Sequence, residues 1–186
     1  MHGLQRSLVI AIVVSLLTTF IAAFVGSAAA YFGGKVEKVV LEIVHFLMVV
    51  PSFLVLALVS KQGNGDWKML IVALTVLGWM YGARVVWSLT TSLREREYVK
   101  AARFMGVGPV RIVLRHLIPN IGSLLIISFT LGVVATVMGE TALSFVGFGV
   151  QLPDVSLGTM LADGANTISS APWLFYAPAS LVTLLT

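Results

Sequence analysis

The 186-residue chain is 58% hydrophobic and only 11% charged, and its mean hydropathy is +0.99. A soluble domain carries about 25% charged residues, so this chain has too little polar surface to cover a water-soluble globule. That composition excludes an ordinary cytosolic enzyme, a disordered tail and a fibrous repeat. Because the chain has no cysteine, disulfide scaffolds, thiol nucleophiles, iron–sulfur sites and cysteine zinc sites are excluded as well. The chain is therefore predicted to be a membrane protein.

Long apolar stretches follow one another along most of the chain. A membrane-spanning helix needs about 20 mostly apolar residues, and five stretches approach or exceed that length: 8–32, 39–59, 69–87, 121–139 and 171–186. The last stretch is short, so we expect it to be a cut-off span. These stretches predict an all-α fold, a polytopic membrane helical bundle that forms a single domain over residues 1–186.

Lysine and arginine predict the orientation of the bundle, since both are retained in short cytoplasmic loops. The loop after the third span is the richest in them, and the loop after the fourth span has none. Placing the rich loop in the cytoplasm puts the N-terminus outside. That orientation predicts that an earlier span is missing and that the chain is part of a six-span subunit.

The first span has an alternative interpretation as a signal peptide, with the small residues 27–30 as its cleavage site. The spacing of small residues argues against it. Ala22, Gly26, Ala30 and Gly34 recur every four residues, which predicts a helix face that allows a second helix to approach closely.

The most informative segment is the cytoplasmic loop at about residues 90–120, hereafter the 90–120 loop. Helix-forming residues from Glu95 onward end at Gly106, where glycine allows a sharp turn. Pro109 is suited to the first turn of a second helix, predicted over 110–117. We expect two short helices with exposed cations and an apolar underside, which the second helix forms with Val110, Val113, Leu114 and Leu117. A simple topology anchor against anionic lipid is the alternative, but a compact folded surface better suits docking of a cytoplasmic protein.

The same loop resembles the signature loop of binding-protein-dependent ABC importer permeases. Ala101-Ala102, Gly106 and Pro119 match its spacing, while Lys100, His116 and Ile118 depart from its consensus. Three further segments are similar to the C-type subunit of the dipeptide, oligopeptide and nickel branch: Glu97-Tyr98-Val99, His116-Leu117-Ile118-Pro119-Asn120, and the run 142–151. The resemblance covers essentially the whole chain.

This resemblance implies the transmembrane domain of a type I ABC importer, with five of its six spans present, in the inner membrane of a bacterium or archaeon. Peptides, nickel or a related small solute would cross by alternating access. The implied partners are two ATP-binding cassette subunits, a second, nonidentical permease subunit, an extracytoplasmic substrate-binding protein and membrane lipid, with no nucleic acid. The loop residues implied to contact the ATPase are Glu97, Tyr98, Ala101, Ala102, Arg103, Gly106, Arg111, Arg115, His116 and Pro119.

The chain itself is predicted to be neither an ATPase nor another enzyme. The run Gly33-Gly34-Lys35-Val36 lacks the spacing and the hydroxyl of a nucleotide-binding phosphate loop. ATP and Mg²⁺ would therefore be bound by the partner subunits, and this chain is expected to bind no cofactor or metal.

Three residues in or near the spans are candidates for a role in the pathway or its gating. Glu42 lies three residues before His45 and four after Lys38, so it is either an intramembrane functional group or the interfacial partner of Lys38. Pro51 is a hinge or a static kink. Glu140 either faces the pathway or caps the turn that follows. The rival to the ABC permease is an ion-gradient-driven transporter or channel, for which Glu42 is the candidate buried charge.

Overall fold

The structure is a computed structural model that describes residues 2–63, 65–151 and 153–186. Within these ranges all regular structure is helical and there is no strand. The α-helices, in chain order, are α1 (His2–Phe32), α2 (Gly34–Val49), α3 (Ser52–Gln62), α4 (Trp67–Leu93), α5 (Glu97–Phe104), α6 (Pro109–Ile112), α7 (Gly122–Phe145), α8 (Leu157–Asn166) and α9 (Trp173–Leu185). The all-α fold class is confirmed.

Within the described part of the chain, three helical segments are long and apolar enough to cross a membrane: His2–Phe32, Trp67–Leu93 and Pro109–Phe145. The segment predicted as a span over 39–59 is divided into α2 and α3, which together have the length and composition of a fourth. The break has a local cause, because Pro51 lacks an N–H and disfavours helical backbone at the residue before it. Val50 and Pro51 accordingly have extended backbone, with ψ of 124° and 96°.

The chain forms two compact units. The first comprises residues 1–16, 51–76 and 130–186, and the second comprises residues 17–50 and 77–129. In the first unit, α8 and α9 share an apolar cluster built on Leu157, Leu161 and Val182.

In the second unit, small residues allow α1 and α4 to come into close contact. A Cβ added to Gly26 would lie 2.5 Å from the carbonyl oxygen of Ala83 and 2.9 Å from the side chain of Val86. One turn earlier, a Cβ on Gly82 would lie 3.0 Å from that of Ala22. The predicted close approach is therefore confirmed at Ala22 and Gly26.

Gly26→Ala is expected to lower the melting temperature, whereas Gly139→Ala is not. Both glycines lie inside helices, so alanine improves helix propensity equally at each, but an added Cβ at Gly139 meets nothing within 4 Å. Overpacking costs about 1–3 kcal/mol, or roughly 2–4 °C per kcal/mol for a chain of this size. Melting of the two purified variants in detergent measures the difference. Equal melting temperatures would show that α1 and α4 do not pack at Gly26.

The second half of the 90–120 loop runs into α7 without a break. α6 is followed by a π-helix (Val113–Leu117) and a 3₁₀-helix (Ile118–Ile121), so the chain is helical over the 37 residues Pro109–Phe145. The predicted regular helix over 110–117 is therefore wrong in its detail. Pro119 cannot donate a helical hydrogen bond and its ring crowds the preceding turn, and a π-turn accommodates such a defect.

Candidate functional site

The first helix of the 90–120 loop ends in a glycine turn, as predicted. Gly106 has φ of +77°, in the left-handed region that favours glycine. The N–H of Gly106 donates to the carbonyl of Arg103, and the N–H of Val107 donates to that of Ala102, both at 3.1 Å. This pair of bonds is a Schellman motif, which satisfies the last carbonyls of α5 and turns the chain sharply.

The underside of the loop is apolar and packed. Val99 and Ala102 of α5 are each 1% exposed, and they form one buried cluster with Tyr31 of α1. Three residues of the second half complete this cluster: Ile112, Val113 and Leu117. The predicted apolar underside is confirmed at Val113 and Leu117, but it is wrong at Val110 and Leu114, which are exposed. A loop that only fixed the orientation of the protein in the membrane would need no such core, because its positive charge alone is enough for that role.

The opposite side of the loop carries an exposed apolar tip. Phe104 is 91% exposed, Met105 74% and Val110 59%. These three residues, hereafter the tip, lie at the end of α5 and the start of α6. Sequence reasoning concentrated on the cations and missed the tip. The available signal was a pair of large apolar residues directly before a turn glycine, where polar residues are usual.

The residues predicted from the resemblance fall into three classes of exposure. Ala102 is buried and His116 is partly exposed. The exposed ones are Glu97, Tyr98, Ala101, Arg103, Gly106, Arg111, Arg115 and Pro119. Two of the cations have defined positions. The guanidinium of Arg103 lies 5.0 Å from the centre of the Tyr31 ring, and Arg111 lies in the last turn of α6. The loop therefore presents both charge and apolar surface from a fixed base.

A set of contacts around Arg94 attaches the loop to the start of α2. Nη1 of Arg94 donates to the carbonyl of Ala30 at 2.7 Å and lies 3.7 Å from a carboxylate oxygen of Glu37. The other Glu37 oxygen accepts the indole N–H of Trp87 at 2.7 Å. No sequence signal pointed to Glu37, because its partners lie 50 and 57 residues away in the chain.

In the first unit, Glu140 is the centre of a buried polar network. Its carboxyl is 1% exposed, and its two oxygens accept the hydroxyls of Ser7 at 3.0 Å and Ser144 at 2.7 Å. The Ser7 hydroxyl in turn accepts the N–H of Leu157 at 3.0 Å, and the Ser144 hydroxyl accepts that of Ser156 at 3.3 Å. The network thus links α1, α7 and the start of α8. Neither sequence hypothesis described this link between helices, and a role of Glu140 in the pathway stays a prediction.

The other two pathway candidates are exposed. Glu42 and His45 lie exposed on α2, and Glu42 forms no ion pair with Lys38, although the structure describes both residues. Pro51 is exposed at the break between α2 and α3. Among the described residues the buried carboxyl is that of Glu140, whereas Glu42 is exposed within this chain, and its role in the pathway stays a prediction.

Metal binding finds no support among the described residues. Within these ranges no three histidine, aspartate or glutamate side chains group closely enough to hold an ion. The groups that the structure brings together are hydroxyls around one carboxyl, ion pairs around Arg94 and the apolar tip. They can position helices and contact another protein.

Comparison with known proteins assigns the chain to a family. Residues 22–186 match the binding-protein-dependent transport system inner membrane component family. The chain is 44% identical to the oligopeptide transport system permease protein OppC of Mycobacterium tuberculosis H37Rv, over all of this chain and 64% of the relative. It is 35% identical to the dipeptide transport system permease protein DppC of Bacillus subtilis 168, over 98% of this chain and 58% of the relative.

A further relative is OppC of Escherichia coli K12, 35% identical over 82% of this chain and half of its own length. The chain thus spans roughly three fifths of the length of the first relatives. Both the matched family and the apolar helices identify a membrane protein. The chain belongs to the family of binding-protein-dependent transport system inner membrane components.

Proposed function

We propose that this chain is a permease subunit of an ATP-driven importer that moves peptides across the inner membrane. The relatives named above are oligopeptide and dipeptide transport permeases, and this favours peptides over nickel or another small solute. In this proposal ATP and Mg²⁺ are bound by partner subunits. The chain contributes the pathway and the mechanical link to the ATPase, and catalyses nothing itself.

The observation that carries the proposal is the exposed apolar tip on a buried base. Side chains as exposed as Phe104 and Met105 are costly in water and mark a contact surface when they are held rigidly. An ATP-binding subunit on the cytoplasmic side would receive the tip in a cleft, with the surrounding arginines steering the encounter. The proposed orientation accordingly places the 90–120 loop in the cytoplasm.

The fold supplies a route for transmitting motion from the ATPase. A displacement of the tip would move α6, which continues through the π- and 3₁₀-turns into α7 without a flexible joint. It would also move α1, because Tyr31 belongs to the same buried cluster as Val99 and Ala102. Two spanning helices would therefore respond together, as alternating access requires.

A second permease subunit is proposed to cover α7. Only 11% of the most apolar window of Pro109–Phe145 is buried within this chain, against 33% for the windows of His2–Phe32 and Trp67–Leu93. An apolar helix left so exposed contacts either lipid or another spanning helix. The exposed large side chains on α7 include Ile126, Ile127, Leu131 and Met138.

An extracytoplasmic substrate-binding protein is proposed to dock on the described residues of the segment 144–166. The segment is anchored rather than loose: Ser156 caps α8 through a reciprocal pair of bonds with Thr159, and Arg6 forms an ion pair with Asp154. A fixed shape at this edge of the first unit suits recognition of a folded protein.

Replacing the tip with polar residues is expected to release the ATPase without unfolding the loop. In the Phe104→Ser, Met105→Ser double variant the buried base is untouched, so only the exposed contact is lost. Loss of a central apolar anchor costs about 2–4 kcal/mol at an interface, a 30-fold or greater loss of affinity. Co-purification of the full-length permease with its ATP-binding subunits measures the effect.

The matched control is Ile168→Ser, which removes an apolar side chain 41% exposed in the turn after α8. It should retain the ATPase at the wild-type level. Equal retention by the tip variant and the control would refute docking through the tip.

A further inference from the structure

A polar cavity lies in the second unit where α1 ends, α2 begins and α5 passes. Its volume is about 300 Å³. The residues that line it are Tyr31, Phe32, Gly33, Gly34, Arg94, Glu95, Lys100 and Arg103. Three cationic side chains face one carboxylate there, so the lining carries an excess of positive charge.

The three cationic side chains differ in the partners that they contact. Arg94 is held by Ala30 and Glu37 and lies 3.3 Å from Glu95, which makes it a structural residue. Lys100 shares Glu95 at 3.4 Å but is more than half exposed. Arg103 has no carboxylate partner among the described residues, and its guanidinium lies against the ring of Tyr31. Lys100 and Arg103 therefore keep donors available for an anion.

The backbone leaves room at the same place. Gly33 and Gly34 have φ of +63° and +56°. An added Cβ on Gly34 would meet nothing within 4 Å, whereas one on Gly33 would lie 2.9 Å from Nη1 of Arg94, so the room is on the Gly34 side. The first N–H groups of α2 have no side-chain cap and add partial positive charge to that of the side chains. An anionic group in the cavity would be attracted by these groups. Among the described residues that line the wall, Glu95 is the one that carries a carboxylate.

We propose that this cavity binds the phosphate group of an anionic phospholipid through Lys100 and Arg103. The choice of a lipid over a soluble phosphate rests on position. The cavity lies at the end of the uncharged stretch of α1, where apolar residues of the helix give way to charged ones, and we expect the phosphate layer of a bilayer near such an end. Phe32 forms part of its wall and is 53% exposed, which offers apolar contact to the glycerol and upper acyl chain. Basic pockets beside spanning helices on the cytoplasmic side favour such headgroups.

The test compares lipid retention by the whole transporter, purified with its partner subunits, using native mass spectrometry. The test variant is the Lys100→Gln, Arg103→Gln double variant, in which both substituted side chains are exposed, so folding is preserved. The matched control is Arg96→Gln, which removes a cation of the same loop outside the cavity. Probes are phosphatidylglycerol, phosphatidylcholine and soluble glycerol 3-phosphate.

Wild type and the Arg96 variant are expected to bind phosphatidylglycerol more tightly than phosphatidylcholine, and the double variant should lose about tenfold in phosphatidylglycerol affinity. Displacement of the lipid by millimolar glycerol 3-phosphate would identify a soluble phosphate as an equal occupant of the same site. Equal lipid binding by the double variant and the control would overturn the proposal.

ATPase retention in the same preparations keeps this test separate from that of the proposed function. If the double variant loses the ATPase, and wild type shows no preference for phosphatidylglycerol, the two cations contact an acidic protein segment and the lipid site is refuted. If the tip variant fails to release the ATPase while phosphatidylglycerol binding depends on Lys100 and Arg103, the lipid site is supported and docking of the ATPase through the tip is refuted.

Discussion

Ala102→Asp is expected to unfold the 90–120 loop and to release the ATP-binding subunits from a permease that still inserts into the membrane. Ala102 is 1% exposed and lies among Tyr31, Val99 and Ile112. A carboxylate in that cluster would have no partner, and burying an unpaired charge costs several kcal/mol. The loop would relieve that cost by opening to water. Without its base the tip is no longer held in one place.

Ala101→Asp is the matched control, because Ala101 is the preceding residue on the same helix and is exposed. Limited proteolysis of the loop should be fast in the Ala102 variant and slow in both the wild type and the Ala101 variant. ATPase co-purification should fall at least 100-fold in the Ala102 variant. A loop equally resistant to protease in both variants would show that Ala102 is not part of a buried base.

The behaviour of this alanine pair illustrates what the sequence could and could not predict. Local rules were sufficient for the helix end at Gly106 and for part of the apolar underside, since both depend on neighbours within a few residues. They were also sufficient for the close approach at Gly26, because a four-residue spacing of small side chains defines one helix face. The type I ABC transporter resemblance added the identity of the loop but not the exposure of individual residues.

Contacts between distant residues escaped prediction. Glu37 meets Arg94 and Trp87, and Ser7 meets Glu140, across separations of 50 or more residues that no periodic pattern encodes. Glu42 attracted attention because charge inside an apolar stretch is conspicuous, whereas Glu140 lies at the end of one. The π-turn before Pro119 was missed for another reason: a proline predicts a defect in the helix, and only packing decides how the helix absorbs it.

Replacing Glu140 is expected to destabilise the first unit strongly and in a graded order. The Ser7 and Ser144 hydroxyls each donate to Glu140 while accepting another hydrogen bond, so the Glu140 carboxyl is the acceptor of both protons. Glu140→Leu would leave both protons unpaired, at about 1–3 kcal/mol each. Glu140→Gln retains one acceptor oxygen and would leave one proton unpaired. Melting temperature should therefore fall in the order wild type, Gln, Leu.

The expected loss for Glu140→Leu is on the order of ten degrees in detergent, from roughly 2–4 °C per kcal/mol. Glu42→Gln, an exposed carboxyl on α2, controls for the loss of charge and should not change melting. The Ser7→Ala, Glu140→Leu double variant separates the network from simple packing. If Ser7 donates a hydrogen bond to Glu140, the loss of unfolding free energy in the double variant should be smaller than the sum of the losses in the two single variants, by about 0.5–3 kcal/mol. Strict additivity, or a Leu variant that melts with the wild type, would show that Glu140 does not hold α1 and α7 together.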